Sequence, residues 1–421
     1  MNTSTEFTYR DNVLHCEGVD LQTVAGREGT PAYVYSKAAI LGRFHAYREA
    51  LAGLPHRICY SVKANSNLAI LQTLAGEGAG FDIVSGGELY RVIAAGSNPQ
   101  TVVFSGVGKT EAEILFALSQ NIHSFNCESE TELELISQMA SDCGQVASIA
   151  IRVNPDVDAI THPYISTGLR EHKFGIDIAK AEEVYCRAAS LPGLSVDGVS
   201  CHIGSQLLEI DPLLDAADRA LDLVLRLRKR GLGIRNLDLG GGLGVPYRTT
   251  DRAVTIQEFI ARLRPKLQSL DLTLMLEPGR SIVAEAGVLL TRVLLVKRNG
   301  AKTFVIVDAA MNDLIRPALY EAHHEIVPVK QPACGEAMTV DIVGPVCETG
   351  DFFARNRELP RLQPGDLLAI RTAGAYGFVL ASNYNSRPRP CELLIDGSRV
   401  QLARRRETYE DLVRGETAAA K

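Results

Sequence analysis

Short apolar runs rich in β-branched residues recur through the first two thirds of the chain. Each is followed by a helix-length stretch whose apolar positions repeat every three or four residues. Eight runs have this character: RICYSV from Arg57, FDIVS from Phe81, TVVFS from Thr101, IHSFN from Ile122, SIAIRV from Ser148, VDGVSCHI from Val196, NLDLG from Asn236 and LTLMLE from Leu272. Segments between them, such as NLAILQTLAGEG and GGELYRVIAAG, carry a glycine near the end, as a helix C-cap does. Eight βα units predict an α/β fold, a closed (β/α)8 barrel of the TIM type over 30–285. An open doubly wound sheet has the same periodicity. Closure is favoured because Lys63, Ser85, Asn126, Asn154, His202, the glycines from Gly240 and Glu277 all fall at the C-terminal end of a run, where the loops of a barrel converge.

After about residue 286 the texture changes. VLLTRVLLVKR, KTFVIVD, MTVDIVG, DLLAIRT and CELLID read as strands separated by turn residues with little helix. They predict a C-terminal all-β domain, sandwich or barrel, over 286–421, joined by an N-terminal strand from 1–29. The 421 residues are 46% hydrophobic and 22% charged, enough to bury a large core. Forty-four basic against fifty acidic side chains give a net charge of −6, and no basic block exceeds Arg404–Arg406, so no nucleic-acid partner is expected. The nine cysteines are odd in number, scattered and without a CxxC pair, which fits a reducing cytoplasm and indicates neither a disulfide framework nor a metal site. The N-terminus lacks a basic segment followed by an apolar one, and Glu285 and Arg292 interrupt the most apolar later stretch. No membrane span is expected.

Candidate chemistry gathers at the strand ends. A lysine is usually a surface charge, but Lys63 follows an apolar strand, where partial desolvation would make its amine a competent Schiff-base nucleophile. Gly240, Gly241 and Gly242 end the seventh run. Backbone N–H groups there can approach a phosphate, although a glycine run is more often a plain turn. Glu277, with Arg280 three residues on, ends the eighth. It is either half of a surface ion pair or the carboxylate that keeps a pyridine nitrogen protonated. His202 is either a satisfied core histidine or a residue lying over a cofactor ring, with Ser205 near enough to meet a phosphate. Together these point to pyridoxal 5'-phosphate.

The motifs YSVKANSN, GFDIVSGGEL, FSGVGKT, HIGSQ, DLGGGLGVPY, EPGRS, MNDLIRPALY, GPVCETGDFF and AGAYGF resemble the diaminopimelate decarboxylases, pyridoxal-phosphate enzymes of the alanine-racemase-like fold type, over nearly the whole chain. RPALY and CETGD are the more specific to that family. The resemblance implies that Lys63 carries the cofactor, that His202 stacks on its ring and that Glu277 partners the ring nitrogen. It implies further that Gly240, Gly241 and Gly242, with Ser205 and Gly279, hold the phosphate. Arg280, Arg316 and Tyr320 would clamp substrate carboxylates, and Tyr376 would touch both cofactor and substrate. Cys347 and Glu348 would enter from the second subunit of a head-to-tail homodimer, Glu348 meeting the distal amine and Cys347 returning a proton to Cα. The implied reaction converts meso-2,6-diaminopimelate to L-lysine and carbon dioxide.

Four other readings compete: a decarboxylase for ornithine or arginine, a racemase, a non-catalytic carrier of the same cofactor, and a sugar-phosphate barrel enzyme. A monocarboxylate substrate would leave the Arg of RPALY without its partner, which counts against ornithine or arginine, and an acid at the ring nitrogen counts against racemisation. His172 stands where the resemblance leads one to expect a small polar residue, and Asn65 and Asn67 have no derivable role. Residues 156–173, long and rich in turn formers, suggest a lid.

Overall fold

A parallel strand buried on both sides needs apolar residues toward the helices, and toward the interior only what a narrow barrel accommodates. The eight apolar runs supply this. The computed structural model describes residues 6–157, 173–268, 270–332 and 336–417. In it His56–Ser61, Gly80–Ile83, Val102–Phe104, Ser124–Cys127, Ala147–Asn154, Leu194–Ser200, Asn236–Asp238 and Thr273–Leu276 each pair parallel with the next, and the eighth pairs with the first. The sheet is therefore closed, as the clustering of polar residues at the strand ends suggested. A ninth short strand, Ile176–Asp177, adds to the fifth.

Period-two alternation sorts the strand residues. Phe81, Ile83, Phe104 and Phe125 fall on one face. Cys59, Ser61, Asp82, Val103, Asn126, Asp238 and Met275 fall on the other, and of these Cys59, Val103 and Met275 form a small buried cluster. Helices follow where the side chains close the first turn. Ser85 accepts the Glu88 N–H, Ser129 accepts the Glu132 N–H, and Thr110 with Glu113 and Thr255 with Glu258 form reciprocal caps. The caps fix where each loop ends, and so where the residue beyond each strand points.

Two compact units result, 42–245 with 252–281, and 1–41 with 246–251 and 282–421. The second is organised by one long strand, Gly287–Asn299, which pairs with Lys302–Val307, Leu367–Ile370 and Ala32–Ser36. Cys391–Asp396 adds parallel to Ala32–Ser36 on its other edge. The strand entering this sheet from the N-terminal side is thus Ala32–Ser36, beyond the expected 1–29. All five of its residues are buried, as a central strand requires. The residues ahead of it, Phe7–Arg10, Val13–Cys16 and Val19–Asp20, make their own antiparallel sheet, whose Phe7, Leu14 and Cys16 pack with Val34, Val288, Leu290 and Leu393. Among the described residues no helix is long and apolar enough to cross a membrane.

One close approach in this unit should be unforgiving. A Cβ on Gly374 would lie 1.9 Å from the Val283 carbonyl oxygen, which is backbone and cannot swing away, whereas one on Gly26, inside the helix Leu21–Glu28, would meet nothing. Gly374→Ala should cost about 2–3 kcal/mol in urea unfolding, and Gly26→Ala should add about 0.5–1 kcal/mol. Equal midpoints for the two variants would contradict the packing described.

Candidate active site

The first barrel strand runs directly into the 3-10 turn Val62–Ala64, which places Lys63 just past its C-terminal end. The following asparagines hold that turn. Tyr60 Oη donates to the Asn65 carbonyl (3.0 Å), Asn65 Oδ1 accepts the Asn67 N–H (3.1 Å), and Asn67 Oδ1 caps the helix Leu68–Gly76 through the Ala69 N–H (2.9 Å). Lys63 Nζ donates to Asp82 Oδ2 at 2.7 Å, with its side chain 36% exposed, so the amine is both held and reachable. Ser61 Oγ sits 2.7 Å from the same oxygen and 3.0 Å from the Glu277 carbonyl. Asp82 is fully buried, and its Oδ1 has no hydrogen-bond partner among the described residues.

Glu277 follows the eighth strand and is buried, as is Arg280, so a surface ion pair is ruled out for these two. The Asn126 amide lies 3.2 Å from Glu277 Oε1 and 2.9 Å from Asp238 Oδ2, and Ser105 Oγ is 3.4 Å from that Glu277 oxygen. Burial, with the Asp238 and Asp82 carboxylates nearby, pushes the Glu277 carboxyl well above the usual range, against the pull of Lys63. Asp238 Oδ1 accepts the Gly240 N–H at 2.8 Å, so the acid pair also ties down the glycine loop.

That loop is tight. Gly240 and Gly242 have φ of +63° and +106°. A Cβ on Gly240 would lie 2.8 Å from His202 Nδ1, one on Gly241 2.4 Å from the Glu277 carbonyl oxygen, and one on Gly242 2.7 Å from the Gly204 carbonyl oxygen. Gly279 is equally confined, its hypothetical Cβ 2.9 Å from that of Ala64. His202 comes two residues after the sixth strand, its Nδ1 shielded from solvent and its carbonyl accepting Arg152 Nη2 at 3.4 Å. Desolvation, with Arg152 and Lys63 close by, holds its imidazole well below the ordinary histidine range, hence neutral. Arg152 is itself anchored on Glu128 (3.0 Å), which also accepts the N–H groups of Gly106 (3.2 Å) and Gly175 (3.0 Å). Ser205 is half-buried on the loop after His202.

Arg316, Tyr320, Tyr376, Cys347 and Glu348 belong to the second unit. Arg316 opens the short helix Arg316–Tyr320 and is buried, its guanidinium 4.6 Å from the Tyr247 ring centre and its Nη1 2.9 Å from His324 Nε2. His324 Nδ1 lies 2.8 Å from the Arg371 carbonyl. An arginine and a carbonyl at the two ring nitrogens require Nδ1 to donate and Nε2 to accept, so the ring is neutral and its tautomer is set. Tyr320 is half-buried, and Tyr376 is held at φ +55°, sparsely populated for an aromatic residue. Cys347 and Glu348 are exposed on a turn pinned by buried Asp351, whose carboxylate accepts the N–H groups of Met311 and Val346 (both 2.7 Å). The Cys347 N–H donates to Asn385 Oδ1 (2.8 Å). Residues 158–172, with His172 and most of the expected lid, lie outside the described residues.

The arrangement thus gathers Lys63, His202, Gly240–Gly242, Glu277 and Gly279 around one barrel mouth. Residues 37–284 match the family described as pyridoxal-dependent decarboxylase, pyridoxal binding domain. Over 411 residues the chain is 57% identical to the diaminopimelate decarboxylase of Pseudomonas aeruginosa, with 98% of each covered. The chain belongs to the diaminopimelate decarboxylase family. The Vibrio cholerae member is 53% identical over 96% of this chain and 97% of its own. Among solved structures, the diaminopimelate decarboxylase from M. jannaschii in co-complex with L-lysine superposes with a TM-score of 0.94 at 39% identity, covering 99% of each chain. The Helicobacter pylori member complexed with L-lysine gives 0.90 at 45% identity, covering 94% of this chain and 98% of its own.

The family's cofactor is pyridoxal phosphate, and the residues present fit it. They offer a reachable lysine amine, a glycine cradle that any Cβ would fill, and a buried carboxyl with raised proton affinity at the barrel centre. Sequence reasoning passed over Asp82, Asp238, Ser105, Glu128, Arg152 and His324. For the first two a signal existed, since an acid inside the otherwise apolar FDIVS and NLDLG must serve something buried.

Two measurements check this geometry. Borohydride reduction of the cofactor-loaded protein followed by peptide mapping should label Lys63. Lys63→Ala should lose the label and on the order of a thousandfold or more in turnover; label at another lysine would remove the assignment. Glu88, near Asp82, accepts the Val84 N–H at 2.8 Å, and burial raises its carboxyl to about 7. A raised acid keeps its proton in the folded state while the unfolded chain has lost its own, so folding stability falls between the unfolded value near 4.5 and about 7, then levels off. Glu88→Gln should therefore match wild type at low pH and exceed it by on the order of 1 kcal/mol above about pH 8. A difference independent of pH would contradict this.

Proposed function

We propose that this chain removes one carboxylate of meso-2,6-diaminopimelate as carbon dioxide and leaves L-lysine. The observation that carries the reading is the buried Arg316 fork, oriented by a neutral histidine and backed by an aromatic ring, which calls for a substrate with a carboxylate away from the reacting carbon. The near-full-length identity to diaminopimelate decarboxylases agrees with it.

Bound pyridoxal phosphate supplies a sink for the electron pair left when carbon dioxide departs. Lys63 would provide the amine that holds the cofactor, its Nζ kept in place by Asp82, whose Oδ2 also accepts the Ser61 hydroxyl. Glu277 would keep the ring nitrogen protonated, and His202, held neutral by burial, would offer a ring face without adding a cation. Gly240, Gly241, Gly242, Gly279 and Ser205 take the phosphate. Arg280, Arg316 and Tyr320 bind substrate carboxylates, and Tyr376 bounds cofactor and substrate together. Glu348 meets the distal ammonium and so tests which stereocentre is held away from the reaction. Cys347 returns the proton to Cα.

Cys347 and Glu348 face solvent on a braced turn of the single chain, which supports their serving a partner subunit in a head-to-tail homodimer with composite sites. We place the enzyme in the cytoplasm, in keeping with its odd number of scattered cysteines and lack of a CxxC pair.

Arg316→Ala should abolish most turnover on diaminopimelate; near-wild-type activity would discard the distal clamp. Lys63→Ala and Glu348→Ala should each be inactive alone. Mixed and reassembled in equal amounts they should regain roughly a quarter of wild-type activity, since half the dimers then contain one intact site. No recovery despite confirmed exchange of subunits would rule out sites shared between chains.

A further inference from the structure

The carboxyls of Asp238 and Glu277 are both buried in the barrel interior, and a single donor nitrogen, that of the Asn126 amide, stands within hydrogen-bond reach of an oxygen of each. Two carboxylates gathered on one donor, with the Lys63 ammonium engaged by a third acid, Asp82, repel each other where little water screens them, and a proton held between them relieves that repulsion. The surroundings are built for such a pair. The Asn126 amide spans both acids at 2.9 and 3.2 Å, Ser105 Oγ stands 3.4 Å from Glu277, Ser200 Oγ stands 3.5 Å from Asp238, and the Gly240 N–H donates to the remaining Asp238 oxygen at 2.8 Å. Around this pair, Asp82 and Lys63 are the nearby charges from the second strand and the turn after the first. The Cys59 and Cys201 thiols, pushed up by burial, are neutral.

We propose that Asp238 and Glu277 hold one proton between them before cofactor binds, and that Asp238 is a positioning residue joining the charge state of Glu277 to the shape of the glycine cradle. The inference rests on the reading of Glu277 as partner of the ring nitrogen and deepens it. A nitrogen arriving as the free base takes the shared proton; one arriving protonated displaces it to water. In either case both acids end as carboxylates. Glu277 then faces the cation, and Asp238 keeps its charge on the Gly240 N–H, the Asn126 amide and the Ser200 hydroxyl. Asp238 thereby links the end of the site that meets the ring nitrogen to the end that meets the phosphate.

Infrared spectroscopy of the cofactor-free protein tests this without any turnover. Wild type should show the carbonyl stretch of a dry carboxylic acid at neutral pH and lose it on adding pyridoxal phosphate. Absence of that band overturns the inference whether or not any variant folds. In Asp238→Asn the acid signal should titrate at least about one pH unit lower, and pyridoxal phosphate should bind about tenfold more weakly, because an amide cannot accept from Gly240 without turning its NH2 toward Asn126. A signal titrating as in wild type, or undiminished affinity, contradicts the role given to Asp238. Glu277→Gln separates the two readings: loss of the band with unchanged cofactor affinity leaves the shared proton standing and removes Glu277 as ring partner.

Discussion

Three carboxyls, Asp82, Asp238 and Glu277, are enclosed in the barrel, and the chemistry of the molecule depends on keeping them there. A lone buried carboxylate is costly, and three near one another are costlier. Lys63 supplies a positive charge, while Ser61, Ser105, Asn126 and the Gly240 N–H supply hydrogen bonds. The proton that we propose Asp238 and Glu277 share would remove the rest of the repulsion. A site built this way suits the cationic heterocycle proposed for it, with the Lys63 amine beside it.

The closed barrel makes the arrangement possible. Asp82, Asp238 and Asn126 come from three strands distant in sequence, and only closure directs them into one interior. Helix caps fix the length of the loops between. The same economy operates in the other unit, where His324 and Tyr247 hold Arg316 and buried Asp351 fixes the turn bearing Cys347 and Glu348. Buried polar groups thus set the directions of the residues proposed to meet the substrate.

All eight barrel strands were legible because buried parallel strands must be apolar nearly throughout, and such runs stand out between helical segments. The gathering of Lys63, His202, Gly240 and Glu277 at one barrel mouth was legible because residues that follow directly after parallel strands converge there. Ala32–Ser36 was not assigned to the large sheet, because its partners lie more than 250 residues away and nothing local distinguishes it from a ninth barrel strand. His324 and Arg152 act through contacts with residues far from them in sequence. Asn65 and Asn67, unexplained in the sequence, are a turn and a cap.

The most direct measurement is a substrate panel on the cofactor-loaded enzyme with the product's configuration determined. Carbon dioxide and L-lysine are expected from meso-diaminopimelate, with ornithine, arginine and lysine turned over negligibly. Comparable turnover of a monocarboxylate diamine, or D-lysine as the product, would contradict that expectation.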